Sequence, residues 1–339
     1  MKIHTLVLGF GVASNAYVSL LNENNIETTV LGSPFDQKRI NQLKKNKKDK
    51  IHKIKYSNKI NFLNSDEAKL IDSEKVNFII VGTNTKGLDW AIKVLNKLKI
   101  NCPVLLITKG LSLLNNKVVT ISDYFFSKCF NHKIIMSAGP CLAKELINKA
   151  HTRTLFASRN TSFALYAKKI LETKYYHPEI SNDIQGAEVC AAIKNIYATV
   201  IGASVGQVGD WVKNKNQNYF NSSSALFEQS IKEMKLIVRR LGGDIETVSG
   251  LAGAGDLYVS VLGGRNSKLG SYLGQGLLYK NIVKRQMKGV TVEGADLTKA
   301  LGSKILSLIS GNSLPLLKSL VNSIKGNKKL RIDWKKFTI

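Results

Sequence analysis

Six short apolar runs alternate with amphipathic stretches through the first half of the chain. The runs, residues 3–8, 27–31, 76–82, 104–108, 134–138 and 154–157, are rich in the β-branched side chains that suit strands buried on both faces of a parallel sheet. Between them, residues 11–22, 36–45, 88–98 and 161–171 carry apolar positions at three- and four-residue spacing and predict helices. Such alternation predicts a doubly wound α/β domain over residues 1–182. Beyond about Ser181 the strand-like runs nearly vanish, and residues 184–205, 223–241, 294–309 and 316–324 all read as helix. An all-α domain over 183–339 follows. There is no internal repeat and no flexible linker, so close packing of the two domains is expected, with a site in the cleft between them.

Length and composition sharpen this picture only at a few points. At 339 residues the chain can build two ordinary cores, and 44% hydrophobic with 22% charged residues describes a globular protein. No apolar run is long enough to cross a bilayer, so no stable membrane insertion is expected. The formal charge of +26 admits nucleic acid, an anionic membrane surface or small anionic substrates as partners. Its densest cluster, Lys44, Lys45, Lys47, Lys48, Lys50, Lys53 and Lys55, has few aromatics interleaved and offers no stacking platform, which argues against nucleic acid. Abundant Lys and Asn also fit a genome poor in G and C, with most lysines on solvated faces.

The four cysteines, Cys102, Cys129, Cys141 and Cys190, are scattered without a C-x-x-C pair, as expected of a reducing, cytoplasmic compartment rather than a zinc site or disulfide scaffold. A Lys followed by an apolar stretch at the start imitates a leader, but Gly9 and Gly11 cut it short, and a first strand and turn describe it better. His4, His52, His132, His151 and His177 occur singly, and no metal site is expected.

The first strand runs into Gly9-Phe10-Gly11-Val12-Ala13-Ser14 and then an amphipathic helix, the context a Rossmann-type dinucleotide fingerprint requires. Gly9 allows a tight turn, and Gly11 lets the backbone approach a pyrophosphate held by helix N-terminal amides. Ser14 stands where the third glycine of G-x-G-x-x-G would be. The choice between NAD and NADP is read after the second strand, here Leu31-Gly32-Ser33-Pro34, where no acid stands before Asp36 and Lys38 and Arg39 follow. This tilts the reading to NADP, with Ser33 and Arg39 as candidate contacts. A merely solvated helix face at Lys38 and Arg39 remains the alternative.

Several segments put polar residues among small or apolar neighbours. Lys109 ends a strand and precedes Gly110, which places it at the carboxyl edge of the sheet. Gly139-Pro140-Cys141 ends another strand, with Ala143 and Glu145 beyond. Lys194-Asn195 lies inside a helix between Ala191, Ala192, Ile193, Ile196 and Tyr197; an interior ammonium needs a partner, and desolvation favours its neutral form, the direction useful for proton transfer. In Gly253-Ala254-Gly255-Asp256-Leu257, followed by Ser260 and Gly264-Arg265-Asn266, the glycines are expected to let the backbone fold around a ligand. Asp256 would accept a hydrogen bond or orient Lys194, and Arg265 offers a fork suited to phosphate. Val292-Glu293-Gly294 adds an acid near a helix start.

From Gly9 to about Leu317 this ordered set resembles the NAD(P)-dependent glycerol-3-phosphate dehydrogenases. Thr108-Lys109-Gly110, Gly139-Pro140 with Ala143-Lys144-Glu145-Leu146, Ile193-Lys194-Asn195, Gly255-Asp256-Leu257, Arg265-Asn266 and Val292-Glu293-Gly294 are similar to that family's motifs and stand in its order. The resemblance implies NAD or NADP as cofactor, dihydroxyacetone phosphate and sn-glycerol 3-phosphate as substrates, supply of phospholipid backbones, and a homodimer. It makes Lys194 the proton donor and acceptor, with Lys109 and Asp256 beside the reacting carbon. Arg265 and Asn266 would hold the phosphate, with Gly139, Cys141, Asn195 and Ser260 along the substrate. Arg265, Glu293, Ala143 and Lys109 would face the cofactor.

Departures from the pattern are Ser14 for the third glycine, Val12 and Ala13 for polar or aromatic residues, Ser260 for threonine and Gly264 for serine. They bear on affinity and fit rather than on reaction class. Two rivals are a β-hydroxyacid dehydrogenase, which Arg265-Asn266 speaks against, and a basic binding protein that keeps the fold without catalysis.

Overall fold

The computed structural model describes residues 2–49, 51–129, 131, 133–205, 219–309 and 313–337; Lys50 and His132 lie outside these. The chain divides into two compact units, Met1–Ser112 with Val119–Ile184, and Leu113–Val118 with Gln185–Ile339. In the first, the strands are β1 (His4–Leu8), β2 (Glu27–Leu31), β3 (Lys48–Asp49), β4 (Ile54–Lys55), β5 (Ile60–Leu63), β6 (Phe78–Val81), β7 (Val104–Leu106), β8 (Leu111–Leu114), β9 (Lys117–Thr120), β10 (Ile134–Ala138), β11 (Thr152–Ala157) and β12 (Tyr176–Ser181), the tip of the β8–β9 hairpin being counted with the second unit. Its helices are α1 (Val12–Glu23), α2 (Gln37–Asn46), α3 (Leu88–Leu98), α4 (Ile121–Lys128), α5 (Ala143–Ile147) and α6 (Thr161–Leu171).

Eight strands form one sheet in the order β12-β11-β10-β7-β6-β1-β2-β5. Val7, Val30, Phe78, Ile80, Leu105, Ile135 and Phe156 turn to a core built with α1 and α6. Their neighbours Leu6, Leu8, Ile79, Val81 and Leu106 are equally buried, as the two-residue alternation of a doubly covered sheet demands.

The sheet is not wholly parallel, which corrects the expectation from the sequence. β11 runs antiparallel to β10, with Met136 opposite Ala157. The connection, residues 139–151, contains only the five-residue α5, in place of the long crossover helix that ordinarily joins parallel strands. Two further strands, β5 and β12, are the sheet's edges. Such positions tolerate irregular sequence; β12 even accommodates Pro178, whose missing N–H costs nothing on an open edge.

The second unit contains α7 (Ile184–Gly202), α8 (Phe220–Arg240), α9 (Glu246–Ser249), α10 (Asp256–Leu262), α11 (Arg265–Gly274), α12 (Tyr279–Lys284), α13 (Glu293–Leu308) and α14 (Pro315–Ile324). Every residue of α7 from Gly186 to Ile201 is buried, so its neighbours must approach from all sides. Glycines make that approach close. A Cβ on Gly270 of α11 would lie 1.9 Å from the Thr199 carbonyl oxygen, and one on Gly274 would lie 2.3 Å from that of Ala203.

α7, α8 and α14 are tied by one buried carboxylate. Glu233 accepts from the Leu316 and Leu317 amides at the start of α14 (2.7 and 3.1 Å), from the Tyr197 hydroxyl (3.1 Å) and from the Gln229 amide (3.5 Å). Burial pushes its carboxyl up to about 7, although the amide and hydroxyl donors work in the opposite direction. The folded protein therefore holds this proton more tightly than the unfolded chain, whose carboxyl titrates near 4.5. Below that value both states are protonated. As pH rises from 4.5 to 7 the unfolded state alone ionises, and the stability contribution of this group falls by about 3 kcal/mol. Denaturant titrations at pH 5 and pH 8 should show a smaller pH-dependent loss for Glu233→Gln than for the parent; equal losses would contradict this.

Candidate active site

Two polar residues stand out on the apolar helix α7. Lys194, 7% exposed, donates to Asp256 Oδ1 at 2.5 Å and to Ser260 Oγ at 2.8 Å. Asp256 is 2% exposed. It and Ser260 are one turn apart on α10, so their side chains project from one face, and the Ser260 hydroxyl also donates to the Asp256 carbonyl at 2.7 Å. A buried ammonium thus gains a carboxylate and a hydroxyl. A buried ion pair of this kind is a poor device for stability and a good one for holding a charged group in one place.

The glycines before Asp256 do not form an open ligand-binding loop, contrary to expectation. Leu251–Gly255 is a single π-helical turn leading into α10, and a Cβ on Gly253 would meet the Val248 carbonyl oxygen at 2.1 Å. Their role is close packing, and the π turn sets the direction in which Asp256 emerges.

Asn195 builds the second part of the site. Its Nδ2 donates to Glu293 Oε2 at 3.0 Å, its Oδ1 accepts from Asn266 Nδ2 at 2.9 Å, and Asn266 Oδ1 accepts from the Gly294 amide at 2.9 Å. The carboxylate can only accept, so each amide's orientation follows from the one before it. Arg265, beside Asn266, is 3.5 Å from Glu293, and both side chains are 56% exposed. A guanidinium so placed can turn to an incoming anion. Lys194, Asn195, Asp256, Ser260, Arg265, Asn266 and Glu293 are therefore brought together within the second unit.

Gly294 is the tightest point of this ring, since a Cβ there would lie 2.3 Å from the Asn195 carbonyl oxygen and 2.9 Å from Asn266 Oδ1. Gly294→Ala should cost about 1–3 kcal/mol in a thermal melt and lower turnover by displacing Asn195. Gly250→Ala, whose Cβ would meet nothing nearer than 3.6 Å, is the control expected to behave like the parent.

In the first unit, Lys109 Nζ donates to the Gly139 carbonyl at 3.3 Å. With Ala13, Gly139, Cys141 and Ala143 it lines a cavity of about 40 Å³, closed below by Tyr17 and Ser137. Gly139 has φ +93°, a conformation that excludes most side chains. Beneath it the Tyr17 hydroxyl meets Ser137 Oγ at 2.6 Å and Tyr176 at 3.1 Å, which fastens α1 to the end of β10. Burial pushes the Tyr17 hydroxyl up, so it stays a neutral hydrogen-bonding group.

The remaining candidates line the turn from β1 to α1. Gly9 has φ +83°, and α1 begins at Gly11 without a side-chain cap, leaving its first amides for another acceptor. A Cβ on Gly11 would find only the Gly82 oxygen, at 3.9 Å. This shape suits a pyrophosphate. Ser14 packs closely because its partner is a glycine: Ser14 Oγ donates to the Gly82 carbonyl at 2.9 Å, and a Cβ on Gly82 would lie 1.9 Å from that oxygen. The third glycine has in effect moved to the neighbouring strand.

Val12 is exposed, whereas the Phe10 ring is buried and both its backbone amide and carbonyl are taken within the protein. Asp36 Oδ2 accepts from the Phe10 amide (3.0 Å), the Ser33 amide (2.8 Å) and the Ser33 hydroxyl (2.6 Å), locking the glycine turn to the end of β2. Arg39 donates to the Phe10 carbonyl at 3.1 Å and to Asp49 at 2.6 Å, and lies over the Phe10 ring. Burial acts to raise the Asp49 carboxyl, but His52 and Arg39 outweigh it and hold the group at about 2. Sequence reasoning named Asp36 only as the nearest acid, with no role, and passed over Asp49. An acid three residues beyond Ser33 was the signal for the first; nothing local marked the second.

A glycine turn opening a Rossmann-type sheet, and a buried Lys–Asp pair in a helical unit beside an arginine, define a dinucleotide-dependent oxidoreductase. The N-terminal domain description of the NAD-dependent glycerol-3-phosphate dehydrogenases matches residues 5–164, and the C-terminal one matches residues 183–333. An NADP(+)-dependent glycerol-3-phosphate dehydrogenase of Archaeoglobus fulgidus is 30% identical over 307 residues, 88% of this chain and 90% of that one. A glycerol-3-phosphate dehydrogenase [NAD(P)+] of Streptococcus agalactiae is 28% identical over 298 residues, 86% of this chain and 84% of that one. A crystal structure of glycerol-3-phosphate dehydrogenase from Coxiella burnetii shares the fold with a TM-score of 0.78 and 23% identity, over 97% of this chain and 96% of that one. The chain belongs to the NAD-dependent glycerol-3-phosphate dehydrogenase family and is an NAD(P)-dependent enzyme.

Proposed function

We propose that this chain interconverts dihydroxyacetone phosphate and sn-glycerol 3-phosphate, with residues 1–182 as the dinucleotide-binding domain and 183–339 as the substrate domain. The observation that carries this reading is the buried Lys194–Asp256–Ser260 cluster, with Asn266 bonded to the adjacent Asn195 and Arg265 paired with Glu293. Gly9, Gly11, Val12, Ala13 and Ser14 would hold the dinucleotide, with Phe10 shaping the turn behind them, and with Ala143, Arg265 and Glu293. When bound, the nicotinamide supplies or accepts the hydride.

Lys194 gives its proton to the oxygen of the developing alkoxide and recovers it in the reverse direction, while Asp256 and Ser260 fix the ammonium. Lys109, in the role that the family resemblance implies, would stabilise the charge on that oxygen. Arg265 and Asn266 hold the phosphate, and Gly139, Cys141 and Asn195 line the rest of the substrate. NADP is the favoured cofactor, because the nearest carboxylate, Asp36, already takes three donors through one oxygen, and Lys38, five residues after Ser33, is exposed. Arg39 would then serve mainly by holding Phe10 in place. A cytoplasmic homodimer that feeds glycerophospholipid synthesis completes the proposal. Among the described residues no helix is long and apolar enough to cross a membrane.

The test follows NADPH and NADH absorbance with dihydroxyacetone phosphate and with unphosphorylated dihydroxyacetone. Rapid oxidation with the first and little with the second is expected. No turnover with either cofactor, or equal rates on both substrates, would overturn the proposal.

A further inference from the structure

The C-terminal segment of residues 325–337 contains six cations, Lys325, Lys328, Lys329, Arg331, Lys335 and Lys336, against one carboxylate, Asp333. After α14 the chain turns at Asn327, which has φ +49° and whose side chain accepts from the Lys280 amide at 3.0 Å. It then runs extended. Leu330 and Ile332 are buried while Lys329 and Arg331 between and beside them point outward, the alternation expected of an extended strand pinned by its apolar side.

Lys328, Lys329 and Arg331 thereby line, with Ser319 and Asn322 of α14, a surface basin of about 410 Å³. Lys336 is paired with Asp333, but none of the three basin cations has a carboxylate partner among the described residues. Immediately beyond stands Trp334, 37% exposed, against the ring of Phe337 at 5.2 Å between centroids. Cations without counter-ions, hydroxyl and amide donors, and an adjacent exposed indole form a combination with a defined use. The first groups bind phosphate, and an indole beside them settles at the boundary between headgroup and hydrocarbon.

We infer that this face docks the protein on anionic phospholipid bilayers, taking phosphate headgroups into the Lys328–Lys329–Arg331 basin and seating Trp334 at the interface. Charge complementarity selects this occupant: a chain with a formal charge of +26 is drawn toward an anionic leaflet from outside the contact zone. The attachment is peripheral and salt-sensitive, and it does not depend on the proposed reaction, since these residues lie apart from the Lys194 cluster in the chain and take no part in it.

The experiment is sedimentation of the full chain with vesicles of phosphatidylcholine mixed with phosphatidylglycerol, and with vesicles of phosphatidylcholine alone. Binding to the anionic vesicles only, reversed by salt, is expected. A Lys328→Ala, Lys329→Ala, Arg331→Ala variant should lose on the order of 100-fold in affinity, from about fivefold for each cation removed, and Trp334→Ala should lose several-fold. Both should keep the parent's melting temperature and NAD(P)H turnover. Unchanged vesicle binding by the triple variant, equal binding to neutral vesicles, or saturable binding of inorganic phosphate or duplex DNA without vesicle binding would overturn the inference.

Discussion

Lys194→Ala should lower kcat by about 100- to 10,000-fold, the range that a positioned proton donor contributes, while leaving NADPH binding, read by fluorescence titration, at the parent value. The glycine turn proposed to hold the cofactor lies between β1 and α1 in the first unit, whereas Lys194 belongs to the second. One complication is built into the site. Removing the ammonium leaves Asp256 buried without its partner, which costs about 3–5 kcal/mol, so the single variant should also melt earlier. Adding Asp256→Ala removes the stranded charge. The double variant should regain much of the lost stability and none of the lost turnover, and recovery of both together would mean that Lys194 acts only as a structural cation.

Arg265→Ala should lower kcat/KM for dihydroxyacetone phosphate by about 10- to 100-fold, the worth of one charge-assisted contact to a phosphate, mainly through KM. The slow rate on unphosphorylated dihydroxyacetone should fall far less. Because Arg265 is half exposed and only 3.5 Å from Glu293, its loss should leave the melting temperature within a degree or two of the parent. Arg265→Lys should recover part of the effect, since an ammonium supplies the charge without the planar fork. An equal fall on both substrates would leave Arg265 only its cofactor role and take it away from the substrate phosphate.

The strands at the centre of the sheet are legible in the sequence because burial on both faces leaves them no choice but continuous apolar residues. β5 and β12 are not, because an edge strand has only one neighbour to satisfy and can contain Asn61 or Pro178. The antiparallel step at β10–β11 was hidden for a related reason: apolar content marks a strand but not its direction. Lys194, Asp256, Arg265 and Asn266 could be picked out as polar residues in apolar or glycine-rich surroundings. Their wiring could not. That Asn195 hands an orientation from Glu293 to Asn266, that Gly82 makes room for Ser14, and that Asp36 closes the glycine turn all depend on partners 3 to 98 residues away, which periodicity does not encode.

The proposed mechanism gives Lys194 and Lys109 a common task, charge and proton on the ketone oxygen of the substrate. A double-mutant cycle in kcat/KM addresses it directly, comparing Lys109→Ala in the parent with Lys109→Ala in the Lys194→Ala background. Groups acting on one atom of the transition state should be strongly non-additive, so the Lys109 substitution should cost much less once Lys194 is gone. Equal losses in the two backgrounds would mean that the two ammonium groups act independently, and a shared oxygen would have to be abandoned.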